Sequence, residues 1–149
     1  LRIIGAQGLG GSRENIIAEA AFRKWLRDNP DKNVTGFSQQ YDYGSIGPGG
    51  AQCGRFIYGL QLEDAGEKER VENMKRDVKI IRWIGPGGQG LLSSAQEDAT
   101  IRETVRRFAA ENPRIRIEHV KAGYSWGSFT RANTAGPRII VTLVFKHLD

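Results

Sequence analysis

The chain matches itself. Shifted by 83 residues, Glu14 falls on Glu97, Arg23-Lys24 on Arg106-Arg107, Trp25 on Phe108, and Asn29-Pro30 on Asn112-Pro113. Further along, Tyr41-Asp42-Tyr43-Gly44-Ser45 falls on Tyr124-Ser125-Trp126-Gly127-Ser128, and Arg55-Phe56-Ile57 on Arg138-Ile139-Ile140. No gap is needed from Glu14 to Leu62, and upstream Ile4-Gly5 matches Ile84-Gly85 at a shift of 80. A repeat of this kind is the signature of one supersecondary unit used twice, each too small to bury its own apolar face. The expectation is a tandem duplication within one domain over 1–149: repeat one over 1–64, a connecting helix over 65–77, repeat two over 78–149.

Each copy opens with a short apolar strand, Arg2 to Gly5 and Val78 to Gly85, that leads into a Gly-rich loop. A helix follows. In the first copy Ser12 is the candidate N-cap, and Ala18, Ala21, Phe22, Trp25 and Leu26 make one apolar face. In the second, Ser94-Ala95-Gln96-Glu97 has capping-box spacing, and Ile101, Val105, Phe108 and Ala109 make the stripe. Both helices should stop at Asn-Pro, because proline cannot continue a helix and biases its predecessor away from helical geometry. A strand comes next, over Asn33 to Phe37 and Arg114 to Val120, then the aromatic segment, a loop and a last strand. The last strand of copy two is apolar on both faces, from Ile139 to Phe145, and should be central in its sheet.

The unit is therefore β-α-β-β, and the fold class α+β. One helix cannot cover both faces of three strands. Two copies can, and a pseudo-two-fold, fused-dimer arrangement is expected. The short polar connecting helix, about Glu67 to Arg76, offers only Val71 and Met74 to a core and should lie on the surface.

Composition narrows the function classes. Lys and Arg total 22 against 17 Asp and Glu, a net charge of +5. That balance suits an acidic partner: an acidic protein surface, nucleic acid or an anionic membrane. One cysteine, Cys53, rules out an intrachain disulfide, and with only His119 and His147 beside it a structural zinc site is not expected. No apolar run approaches a membrane span, and the N-terminal residues do not resemble a signal peptide, so a soluble chain is expected. The absence of an initiator Met is what a processed or trimmed chain would show.

The motifs carry little catalytic chemistry. The loop Gly5-Ala6-Gln7-Gly8-Leu9-Gly10 stands between a strand and a helix, where backbone N–H groups hold phosphates. Its spacing is not that of a dinucleotide or P-loop motif, and Gly85-Pro86-Gly87-Gly88-Gln89-Gly90 fits neither. Ile-Gly-Pro-Gly-Gly recurs at 46–50 and 84–88, out of register with the repeat. Cys53 has no histidine near it in sequence to form a thiolate, and its repeat counterpart is Gly136. No catalytic residue, cofactor or metal ligand is assigned.

What recurs in both copies is aromatic and cationic. The candidate partner-binding residues are Arg23, Lys24, Tyr41, Tyr43 and Arg55 in the first copy, and Arg106, Arg107, Tyr124, Trp126 and Arg138 in the second. The bland alternatives are a solvated helix face for the basic pairs, and a core aromatic followed by a glycine turn or bulge for the others. The segments Ser38 to Gly54 and Gly123 to Pro137 look like long Gly/aromatic loops suited to packing against something. The leading reading is a non-catalytic basic binding or assembly module that docks an acidic protein or joins a larger complex, with an oligomer compatible with either. The second is nucleic-acid binding through the same aromatics and arginines. The third is a nucleotide-binding enzyme using the Gly-rich loops.

Overall fold

The computed structural model describes residues 2–8, 13–45, 52–85, 90–128 and 135–148, with side chains described over 15–41, 56–85, 90–124 and 137–148. The elements are β1 (Arg2–Gly8), α1 (Arg13–Asp28), β2 (Lys32–Ser45), β3 (Gln52–Asp64), α2 (Glu67–Asn73), β4 (Arg76–Ile84), α3 (Ser94–Glu111), β5 (Ile115–Ser128) and β6 (Ala135–His147). The chain is α+β. Its strands form two antiparallel three-stranded sheets, in the orders β1-β3-β2 and β4-β6-β5. The apolar strand expected to be central, β6, is central.

The two sheets share a register. Val34 pairs with Leu62 and Ile117 with Phe145, and each third-from-last ladder position again differs by 83. Each second strand carries a register shift at the same place, between Val34 and Gly36 and between Ile117 and His119. Glycines 44 and 127, expected at a turn or bulge, instead sit within regular pairing opposite Cys53 and Gly136. The first strands are offset differently from the sequence match. Ile4 pairs with Tyr58, but Ile84 pairs with Arg138, three positions further along the ladder than a shift of 80 requires.

Both large helices end before Asn-Pro, and the asparagine contributes more than a stop. Asn29 Nδ2 donates to Trp25 O at 2.8 Å, and Asn112 Nδ2 to Phe108 O at 2.9 Å, so each satisfies a terminal carbonyl. The N-cap of α3 is Ser93 rather than Ser94. Ser93 Oγ accepts from Gln96 N at 3.2 Å, and Gln96 Oε1 accepts from Ser93 N at 2.8 Å. The expected long loops are largely strand: β2 runs to Ser45, β3 starts at Gln52, β5 runs to Ser128 and β6 starts at Ala135. Alternating side chains and an unbroken ladder outweigh their glycine content. Likewise Gly5 and Gly8 belong to β1, paired with Ile57 and Gly54.

The second sheet is covered on both faces. Ile139, Val141, Leu143 and Phe145 pack under α3 with Phe108, while Ile140 and Val144, with Val78 and Ile80, join the core of Ala18, Phe22, Leu26, Phe37, Phe56, Tyr58 and Leu60. The first half (β1 to β3 with α1) thus presents its helix-bearing face, and the second half (β4 to β6 with α3) presents its helix-free face.

Polar side chains complete the seam. Tyr58 Oη and Thr142 Oγ1 lie 2.8 Å apart, Gln39 Nε2 donates to Ile140 O at 3.1 Å, and His119 Nε2 lies 2.9 Å from Val34 O. Burial drives the Tyr58 hydroxyl pKa well above its ordinary value, so it stays protonated. At Gly123 the strands come close: a Cβ there would lie 3.2 Å from Gln39 Nε2. In a two-fold pair each contact would have a mirrored partner. Tyr41 meets Arg138, yet the counterpart Tyr124 accepts instead from Leu92 N of its own half. Among the described residues the contacts between halves run one way.

The connector lies on the surface as expected, but its anchors differ. Val71 and Met74 are exposed, and the buried residues are Asn73 and Arg76. Asn73 Nδ2 donates to Pro30 O at 3.0 Å and to Asn33 Oδ1 at 2.8 Å. Arg76 caps the end of α1 and the turn after it, donating to Lys32 O at 2.9 Å, Asn29 O at 3.0 Å, Asn73 O at 3.1 Å and Leu26 O at 3.4 Å.

Candidate binding face

The ten repeated candidates divide by position. Arg23 is half-buried on the flank of α1, where its Nε donates to Asp77 Oδ1 at 2.6 Å and its Nη2 to Glu19 Oε1 at 2.8 Å and Val78 O at 3.0 Å. The carboxylates raise its pKa, Asp77 most, against a smaller opposing effect of burial. It is therefore a joint between the halves. Asp77 also accepts from Val78 N and from His147 Nε2 at 3.0 Å. Burial pushes the Asp77 carboxyl up, but these hydrogen bonds together outweigh that and hold it below the ordinary carboxylate range.

Tyr41 and Arg138 are joined across the seam by a hydrogen bond and by stacking, with the guanidinium carbon 5.0 Å from the ring centroid. Arg138 is only 1% exposed, so it serves the interior and not an outer surface. Tyr124 is half-buried and holds Leu92 N at 3.0 Å. The side chains of Tyr43, Arg55 and Trp126 lie outside the described residues. By register Tyr43 stands opposite Gly54, Arg55 opposite Asp42, and Trp126 opposite Pro137.

Lys24, Arg106 and Arg107 are the exposed members. Lys24 pairs with Asp28 at 2.5 Å. Arg106 grips Glu103 with two bonds, at 2.9 and 2.6 Å, and Arg107 lies 3.8 Å from the same carboxylate. The Glu103 bond raises the Arg106 pKa, and the Arg106 bond lowers that of Glu103. Such pairs in water stabilise little and leave the cations able to exchange partners. Arg106 and Arg107 stand together on α3, but the structure does not bring them near Arg23 and Lys24 as one face.

Around α3 the sheet is incompletely covered, which sequence reasoning missed. Between α3 and β4 runs a groove of about 340 Å³, floored by Ile81, Trp83 and Phe108 and edged by Lys79, Arg107 and Glu111. It continues toward Thr100 and Glu103 as a second hollow of about 300 Å³, again against Trp83 and Arg107. The volumes suit a side chain or short segment, and apolar walls with a few charged groups are what binding clefts present. Trp83 was the available signal: it lies within the expected strand Val78 to Gly85 but outside the gapless part of the repeat, so the internal match does not mark it. No protein-family model, curated protein or solved structure matches this chain. Among the described residues no helix is long and apolar enough to cross a membrane.

Proposed function

We propose that this chain is a non-catalytic, basic binding or assembly module that docks an acidic protein surface, built by tandem duplication of a β-α-β-β unit. The duplication is supported by the common offset of 83 in sequence, ladder register and bulge position. One-way contacts favour stacking of the second unit on the first over a two-fold pair.

The observation that carries the binding reading is the unequal covering of the two helix-bearing faces. The first is sealed by the second half, leaving Phe22 and Phe56 with no exposure. The second is covered by α3 but, among the described residues, by no further element, and leaves Trp83 and Ile81 half-buried beside Lys79 and Arg107. Aromatic and arginine side chains around an apolar floor are the composition of energetically important interface patches. The net charge of +5 favours an acidic partner over a neutral one.

The test is binding of the intact chain to an immobilised acidic protein and, separately, to single-stranded RNA, across a salt titration. Salt-sensitive binding to the acidic protein, weakened by Trp83→Ala, is expected. Binding only to RNA, weakened by the same substitution, would replace this reading with the nucleic-acid one.

A further inference from the structure

The interior shows how a helix flank of this fold holds another chain. On α1 the flank is Glu19, Arg23 and Leu26. Along it lies the outer edge of β4, an extended segment: Ile80 N donates to Glu19 Oε2 at 3.2 Å, and Arg23 holds Val78 O and Asp77. Apolar side chains of the second sheet fill the slot beside this flank, so Leu26 is 1% and Phe37 5% exposed.

The matching place in the second half has no described element over it. At the offset of 83, Glu19, Arg23 and Leu26 correspond to Arg102, Arg106 and Ala109, and Phe37 and Gln39 to Val120 and Ala122. Thr104, Arg107, Phe108 and Glu111 of α3 face the groove over β4. Arg102, Arg106 and Ala109 therefore lie on the opposite flank of the helix, toward β5. Val120 and Ala122 stand opposite Leu143 and Val141, on the sheet face that α3 covers. Val120 is 39% exposed where Phe37 is sealed, and Ala109 and Ala122 are exposed where Leu26 is buried and Gln39 reaches across the seam.

We infer that this slot, between the Arg102–Arg106–Ala109 flank of α3 and the Val120–Ala122 strip of β5, docks an extended acidic segment of a protein partner. The inference rests on the binding-module reading and adds to the Trp83 groove a second contact on the other flank of α3. The internal template supplies the occupant's shape: an extended strand edge, with small apolar side chains toward the sheet. The charge supplies its chemistry. Where the first half pairs a carboxylate with a guanidinium, and so answers both an N–H and an acidic group, the second offers Arg102 and, on exchange of its exposed pair with Glu103, Arg106, which answer carbonyls and carboxylates only. A second copy is disfavoured by charge: the strand that would take the place of β4 is β1, whose Arg2 would add a cation to those of the slot.

The experiment is amide chemical-shift mapping on the full chain at low ionic strength, with a synthetic peptide alternating Glu and Val and a matched peptide alternating Lys and Val. The Glu-Val peptide is expected to move Arg102, Arg106, Ala109, Val120 and Ala122, and the Lys-Val peptide to leave them still. Arg102→Glu with Arg106→Glu should weaken Glu-Val binding about tenfold or more, and the loss should shrink as salt is raised. Val120→Asp, a surface change, should weaken it independently. Shifts confined to the Trp83 groove would overturn the slot while sparing the module reading. Equal binding of both peptides, no shifts with either, or concentration-dependent shifts at these residues without peptide would overturn the slot as an acidic-segment site. Loss of acidic-protein binding altogether, by the assay above, is the separate failure of the module reading.

Discussion

Replacing Arg76 should be among the most damaging single changes in the chain. The residue is 6% exposed, and its guanidinium holds four main-chain carbonyls, from α1, the turn after it, β2 and α2. It has no carboxylate in hydrogen-bond contact among the described residues, and burial lowers its pKa against a smaller opposing effect of Glu118. Three of the four bonds are 3.1 Å or shorter, and hydrogen bonds involving a charged group contribute roughly 1.5–3 kcal/mol each. The sum overstates the effect, since desolvating the cation costs several kcal/mol and bonds in one cluster are not additive. Arg76→Met keeps most of the volume but orphans the carbonyls, and a loss of about 3 kcal/mol is expected. Arg76→Ala adds a cavity and should cost about 4–5 kcal/mol. With a urea slope of roughly 2 kcal/mol per molar for a domain of this size, the Met variant should shift the midpoint by about 1.5 M. A midpoint within about 0.3 M of the parent would refute the capping role.

Arg23 and Lys24 are neighbours that should behave oppositely. Arg23→Glu sets a carboxylate against Asp77 and Glu19 and should cost about 2 kcal/mol or more, whereas Lys24→Glu or Arg107→Glu should leave the urea midpoint unchanged. Equal tolerance of both would mean that the Arg23 joint is not formed. Because the Asp77 carboxyl is depressed in the folded state, its contribution is complete above the ordinary aspartate pKa of about 3.9 and fades as pH falls through the lower folded value. Asp77→Asn should therefore be less stable than the parent at neutral pH, with the gap closing in acid; a constant gap in urea midpoints across that range would contradict this. His119→Phe keeps an aromatic ring near Phe37 but removes the contact to Val34 O, and a loss of about 1 kcal/mol is expected by thermal unfolding, with no change speaking against the bond.

The element order was legible because its signals are local. Asn-Pro stops two helices, alternation marks β3 and β6, and an apolar run on both faces marks the central strand. The hairpin arms were misread because Gly44, Gly54, Gly127 and Gly136 resemble loop composition, while pairing depends on partners nine or more residues away. The connector's surface position was legible, but its buried residues were not, for a related reason. Val71 and Met74 are apolar but face water, and the buried Asn73 and Arg76 are recognisable only once the carbonyls they satisfy are in place. Among the candidate residues, the repeat marked Tyr41 and Arg138 as important without revealing that they meet each other. Trp83 carried no repeat signal at all.

Which faces meet is written in the differences between the copies rather than in their likeness. The helix-free face of the second sheet offers Ile140, Thr142 and Val144 to the core. The matching positions on the first sheet are Ile57, Gly59 and Gln61, flanked on β2 by the exposed Ser38 and Gln40. The outer face of the first sheet thus carries polar and small side chains, the ending that the proposed stacking of repeat units calls for. Making that end apolar should extend the stack. Gln40→Ile with Gln61→Val surrounds Ile57 with aliphatic side chains and gives the first sheet a face like the one that seals α1 in the interior. One-way contacts do not close on themselves, so the variant should associate into open-ended oligomers that grow with concentration, whereas a two-fold contact would stop at the dimer. Sedimentation velocity over a concentration series distinguishes these. Association should also protect Val120 and Ala109 of the neighbouring copy from exchange and broadening agents, since their slot is the surface that would be covered. A variant that stays monomeric, or that forms a dimer and nothing larger, would show that the open face of the second half is not the counterpart of the sealed face of the first.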